Sequence, residues 1–234
     1  MLFAKKKAVR NITKLYFFTD EEKDFDLPWV REHALRYCSG LPSKFSVNFG
    51  GNKDISKLPK RMRPSELEYL DVTSSEGGAM LVLSQAFVKP DKRLIHECTI
   101  ISEFDHTFFH EKELITWFDG YFELIYGYSR ALREDYHPTS ETKIKKGVFS
   151  TELRAEKLSV WMSSPYEMSA GGVKGIYPVN YWTEGALKKM EEIGFDVSHV
   201  GSGNIFHFSD VEGESMRRNN PKYKDFVRFD EFGT

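Results

Sequence analysis

The sequence predicts an α+β fold, a single domain over residues 1–234 in which a mostly antiparallel sheet packs against amphipathic helices. Three observations carry that expectation. Short runs of branched and aromatic residues alternate with turn-prone residues, as half-buried strands do. Two segments, 111–126 and 183–193, repeat apolar residues at helical spacing. Hydrophobic residues make up 40%, aromatics 15% and charged residues 29% of the chain, enough to bury a sizeable core and too apolar for a disordered class.

Taken in order, Leu15, Tyr16, Phe17 and Phe18 read as a core strand over 15–19, bounded by the acidic cluster Asp20, Glu21 and Glu22. After Pro28, the pairs Trp29-Val30, His33-Ala34 and Tyr37-Cys38 recur at three- and four-residue steps and predict a helix over 28–38. Residues 43–49 alternate so that Ser43, Phe45, Val47 and Phe49 fall on one strand face. The segment 50–64 follows as a solvent-exposed loop carrying Lys53, Lys57, Lys60, Arg61 and Arg63, with Ile55, Leu58 and Met62 as its few apolar residues.

Segments 79–84 and 95–101 read as antiparallel neighbours across the turn at Lys89, Pro90, Asp91 and Lys92. The helix over 111–126 has its stripe in Leu114, Trp117, Phe118, Tyr121, Phe122 and Ile125, with Gly120 an unfavourable residue inside it. Residues 124–132 are expected to turn at Gly127 into a further strand, and 133–146, with Pro138, reads as a connection. Residues 150–162 fit two readings: Ser150, Thr151 and Glu152 suit a helix start, whereas 158–162 alternates like a strand. A glycine-rich turn then feeds a strand over 175–181, where Pro178 favours an edge or a bulge. Thr183 caps a helix with Ala186, Leu187, Met190 and Ile193 on its apolar side and Gly194 at its end, and 204–208 forms a late strand.

The formal net charge of −2 writes no nucleic-acid field into the chain, so no nucleic-acid partner is expected. The two cysteines, Cys38 and Cys98, form neither a disulfide framework nor a C-x-x-C pair and read as buried thiols. Lys5, Lys6 and Lys7 are not followed by the apolar run of a secretory signal, and no window has the length of a membrane helix, so a cytoplasmic protein without a membrane partner is expected.

No catalytic signature stands out. His106 and His110 lie four residues apart with Glu111 adjacent and His96, Glu97, Glu103 and Asp105 nearby, but Thr107 stands where the H-E-x-x-H pattern needs glutamate. A solvated loop is the preferred reading there, with no metal and no cofactor; the alternative is a small hydrolase or transferase built around His106 and His110. Gly171-Gly172-Val173-Lys174-Gly175 and Gly201-Ser202-Gly203 lack the order of a phosphate loop or a nucleophile elbow and read as turns. The acidic residues Asp20, Glu21, Glu22, Asp24 and Asp26 suit either a helix N-terminal flank or a surface for a basic partner, and they are the candidate partner-binding residues.

Gly147-Val148-Phe149 with Leu153, then Gly175-Ile176-Tyr177-Pro178-Val179-Asn180-Tyr181-Trp182, and a helix that ends in Ile193-Gly194-Phe195 before a late strand, resemble the immunity protein 52 family of bacterial polymorphic-toxin systems. The resemblance spans about residues 80–230 and leaves the first seventy residues unmatched. It implies a cytoplasmic, non-enzymatic α+β protein that binds and neutralises a cognate toxin delivered between cells, several such toxins by type VI secretion and many of them nuclease-like.

Overall fold

The computed structural model describes residues 9–20, 25–26, 42–74, 79–88, 93–103, 115–116, 119–120, 122–133, 136, 143–146, 151–154, 177–192 and 205–207. Strands run over Val9–Asp20 (β1), Phe25–Asp26 (β2), Pro42–Val47 (β3), Lys53–Asp54 (β4), Arg61–Met62 (β5), Tyr69–Ser74 (β6) and Ala79–Val88 (β7). They continue with Arg93–Glu103 (β8), Glu123–Arg133 (β9), Lys143–Lys146 (β10), Thr151–Arg154 (β11), Val179–Trp182 (β12) and Ile205–His207 (β13). The α-helix Glu184–Glu192 (α1) lies between the last two.

Nine of these strands form one sheet in the order β13-β12-β9-β1-β8-β7-β6-β3-β4, with every pairing antiparallel. The central trio follows from composition: β1, β8 and β9 each span eleven or twelve residues dominated by branched and aromatic side chains. Alternation sorts those side chains onto two faces. Leu15 and Phe17 of β1, Cys98 and Ile100 of β8, and Val179 and Tyr181 of β12 share one buried cluster with Leu70 and Val72 of β6. Tyr16, Ile95, Tyr126, Tyr128 and Trp182 point the other way and pack with Ala186 and Met190 of α1.

A single glycine lets the first face close. Leu15, Gly127 and Tyr181 lie side by side on three neighbouring strands, and a Cβ on Gly127 would meet Leu15 Cδ2 at 2.7 Å and Tyr181 Cβ at 3.4 Å. Gly127→Ala is expected to destabilise the protein by about 1–3 kcal/mol through overpacking, measured by urea unfolding. An unchanged unfolding midpoint would mean that Leu15 moves aside freely.

Several sequence expectations change at this level. The helix over 111–126 does not reach its expected end: residues 115–116 and 119–120 are helical, but Glu123–Arg133 is strand, because pairing with β1 and β12 on both sides supplies hydrogen bonds that helical periodicity cannot see. Ile115, absent from the expected stripe, is fully buried, while Leu114, Trp117, Phe118 and Tyr121 lie outside the described residues. β9 also runs straight through Gly127 instead of starting after a turn there.

The expected connection 133–146 ends in β10, which pairs with β11 as a hairpin, so the opening of 150–162 is extended; 158–162 lies outside the described residues. β12 begins after Pro178 and lies between β9 and β13, so the proline precedes an interior strand and marks neither an edge nor a bulge. β6, which no expectation covered, joins β3 to β7. The helix expected over 28–38 lies outside the described residues, as does Cys38, whereas Cys98 is a free, buried thiol whose pKa is raised by burial and by the neighbouring Glu97 charge. Thr183 caps α1 as expected, its Oγ1 accepting from Ala186 N at 3.4 Å and its carbonyl from Leu187 N at 2.9 Å. Among the described residues no helix is long and apolar enough to cross a membrane.

Candidate partner-binding surface

Of the residues that carry the family resemblance, Val179–Trp182 are structural. Val179, Asn180, Tyr181 and Trp182 are all buried, and each has a packing or hydrogen-bonding task. Asn180 holds the turn that enters β12, its Oδ1 accepting from Tyr177 N at 3.0 Å and its Nδ2 donating to Tyr177 O at 2.5 Å. Tyr181 donates its hydroxyl to Asp119 Oδ1 at 2.5 Å, tying the helical residues 119–120 to β12. Trp182 stacks on Phe206 at 5.2 Å between ring centroids. None of the four presents its side chain to a partner, so an interaction surface must be sought elsewhere.

The metal reading finds no support in the placement of its described members. His96 and Glu97 are consecutive on β8 and therefore face opposite sides of the sheet. His96 is fully buried against Phe17, with centroids 5.8 Å apart, and burial pushes its pKa down to about 4. Glu97 accepts from Lys14 Nζ at 2.8 Å and from Thr99 Oγ1 at 3.1 Å. Among the described residues no group of three or more His, Cys, Asp or Glu side chains is placed to hold a metal ion. His106, His110, Asp105 and Glu111 lie outside the described residues, as do both glycine-rich turns.

Of the acidic candidates, Asp20 is exposed at the end of β1, in register with Arg93. Asp26 lies in β2, whose antiparallel partner is β5: Phe25 stands opposite Met62, and Asp26 opposite Arg61. The backbone thus brings the acidic segment alongside the basic loop 50–64. Glu21, Glu22 and Asp24 lie outside the described residues.

The basic loop is ordered by local chemistry. Asp54 caps a 3-10 turn over Ile55–Lys57, its Oδ1 accepting from Ser56 N at 2.9 Å and Ser56 Oγ at 2.6 Å, and these bonds hold its pKa below the usual carboxylate value. A second 3-10 turn, Pro64–Glu66, follows β5 and buries Pro64. Lys53, Lys57, Lys60, Arg61 and Arg63 are all exposed, and no ion pair of theirs occurs among the described residues.

The feature that sequence reasoning placed wrongly is Phe49. Its alternation with Phe45 and Val47 put it on the same strand face as those two, yet β3 ends at Val47, and Phe49 is 75% exposed, the exposed large hydrophobic residue among those described. Asn48 and Phe49 have φ of 48° and 58°, and Gly50 N donates to Val47 O at 2.9 Å, which closes a two-residue turn of the type that prefers Asn-Gly. Asn48 suits its position and is clamped there: its Nδ2 donates to Glu66 O at 2.7 Å, and its Oδ1 accepts from Glu68 N at 2.9 Å and Tyr69 N at 3.1 Å. Ser46 Oγ donates to Gly50 O and fixes the far side of the turn.

Phe49 stands where glycine would be free of strain, and a Cβ-bearing residue in this region costs about 1–2 kcal/mol. One of its faces stacks on Tyr69 at 4.7 Å and 14°, leaving the other toward solvent. Tyr69 is half-buried, with its phenol pKa raised by burial and by the Asp71 charge, so it stays a neutral support for the ring. Among sequence signals, only the Asn48 turn residue ahead of Gly50-Gly51 pointed to this arrangement. No protein-family model matches the chain, and searches of curated proteins and of solved structures find no match.

Proposed function

We propose that the chain is a cytoplasmic immunity protein, non-enzymatic, which binds and neutralises a cognate toxin of the kind delivered by type VI or similar secretion systems. The reading extends the resemblance of residues 175–195 to the immunity protein 52 family. The observation that supports it best is the turn at Asn48 and Phe49, a side-chain-clamped scaffold that holds an aromatic ring out to solvent at a conformational cost. A locally unfavourable backbone retained by six surrounding hydrogen bonds suits a binding surface better than a packing role. In the same reading the sheet packs against amphipathic helices, with the helical residues 115–116 and 119–120 and α1 as the layers on its two faces. A nuclease is the toxin class most in keeping with the family.

Co-expression with the product of each neighbouring gene tests the proposal, one of them being expected to be the toxin. Growth is expected to be rescued by this chain and lost without it, and the two purified proteins are expected to form a complex of one copy each. Continued growth arrest with both proteins present and soluble would reject the reading.

A further inference from the structure

The geometry points to the tip of β3 and the loop behind it as the docking surface for a protein partner that offers an apolar pocket ringed by carboxylates. This inference rests on the reading above and names the surface it uses. A singly exposed aromatic residue is ordinary on any protein. Phe49 differs because a left-handed φ of 58° opposes its presence, glycine being the residue the turn prefers, and because Tyr69 supports one ring face while the other stays open. A large, rigid, pre-ordered ring loses little further freedom on burial in a pocket, which is what an interface anchor requires.

Charge defines the partner. From residue 53 to residue 63 the chain carries five cations, Lys53, Lys57, Lys60, Arg61 and Arg63, against the single carboxylate Asp54, although the whole protein has a net charge of −2. All five are exposed. The tip and the loop are one unit, since Asn48 bonds to Glu66 O and Glu66 N donates to Arg63 O at 3.0 Å. Asp26, opposite Arg61 across the β2–β5 pairing, offsets part of that charge, and the remaining excess of cations selects an acidic surface. A protein fits better than a nucleic acid: one ring with one free face is not the row of stacking platforms that single strands use.

Two variants of the full chain separate the anchor from the fold. Phe49→Gly deletes the ring and relieves the turn, so the thermal midpoint is expected to hold or rise while affinity for the toxin identified by the co-expression test falls about 30-fold or more, the loss expected of an anchor residue. Phe49→Trp should retain most of the binding. Lys57→Glu combined with Lys60→Glu should slow association about tenfold at low salt and flatten its salt dependence. Unaltered toxin binding by Phe49→Gly and by the double reversal would overturn this surface and leave the immunity reading standing; no toxin binding by the wild-type chain would overturn both. Two further results would also overturn the assignment of a protein partner. One is a fluorescein-labelled 20-nucleotide DNA retained by the wild-type chain and released by Phe49→Gly. The other is a dimer in light scattering that Phe49→Gly converts to monomer.

Discussion

Glu97→Ala is expected to destabilise the protein by about 3–5 kcal/mol, the usual loss when one member of a buried ion pair is removed. Lys14 Nζ lies 2.8 Å from Glu97 Oε1, and the two side chains retain only 4% and 19% of their exposure. Both residues lie on the central strands β1 and β8, Lys14 directly opposite Thr99, which donates to the same carboxylate oxygen. Alanine would take the carboxylate from an ammonium group that water reaches poorly and leave the Thr99 hydroxyl without that acceptor. Glu97→Gln keeps an acceptor oxygen and should fall between wild type and alanine. Lys14→Met combined with Glu97→Leu should recover most of the loss, because the desolvated charges disappear together. Guanidinium unfolding of the four proteins gives the order; a loss below about 1 kcal/mol for Glu97→Ala would show that the ammonium finds water or another acceptor at no cost.

Acid is expected to weaken the fold well above the range in which carboxylates titrate, and His96 is the reason. Burial holds its pKa near 4, whereas an imidazole in the unfolded chain titrates near 6.5. Between those two values the unfolded chain binds a proton that the native chain refuses, so stability present above pH 6.5 is lost as the pH falls. The loss should reach about 2 kcal/mol at about pH 5 and about 3 kcal/mol at about pH 4. Urea unfolding of wild type and His96→Leu at about pH 8 and pH 5 isolates it: leucine should abolish most of the difference between the two conditions. An equal difference in both proteins would assign the acid sensitivity to other groups.

The adjacent residues His96 and Glu97 illustrate how much of this protein is written locally. A period of two places them on opposite faces whatever the rest of the chain does, and one becomes a neutral core ring and the other half of an ion pair. The same local pattern announced β1, β7, β8 and β13, and Thr183 with Ala186 and Met190 announced α1. Local pattern failed where two patterns overlapped. Ile125 continues a helical stripe and also falls within a strand, and only β1 and β12, distant in sequence, decide for the strand by pairing with both of its edges.

At the candidate surface the division is sharper. Residue types and their order settled that 50–64 is basic and turn-rich with its cations exposed, because charged side chains need no partner to stay in water, but not that β4, β5 and the buried Pro64 lie within it or that Ile55, Leu58 and Met62 pack against the core. They could not settle that Phe49 leaves the strand. That outcome depends on β6, whose Tyr69 backbone takes the next rung from Asn48 and whose ring receives Phe49, together with the Glu66 and Glu68 backbone that clamps the Asn48 side chain. Alternation alone would have kept the ring on the strand face of Phe45 and Val47. Likewise, the pairing of the acidic segment at 25–26 with the basic segment at 61–62 spans about thirty-five residues of chain, and no short-range pattern encodes a contact whose energy comes from hydrogen bonds made only after the intervening strands have found their places.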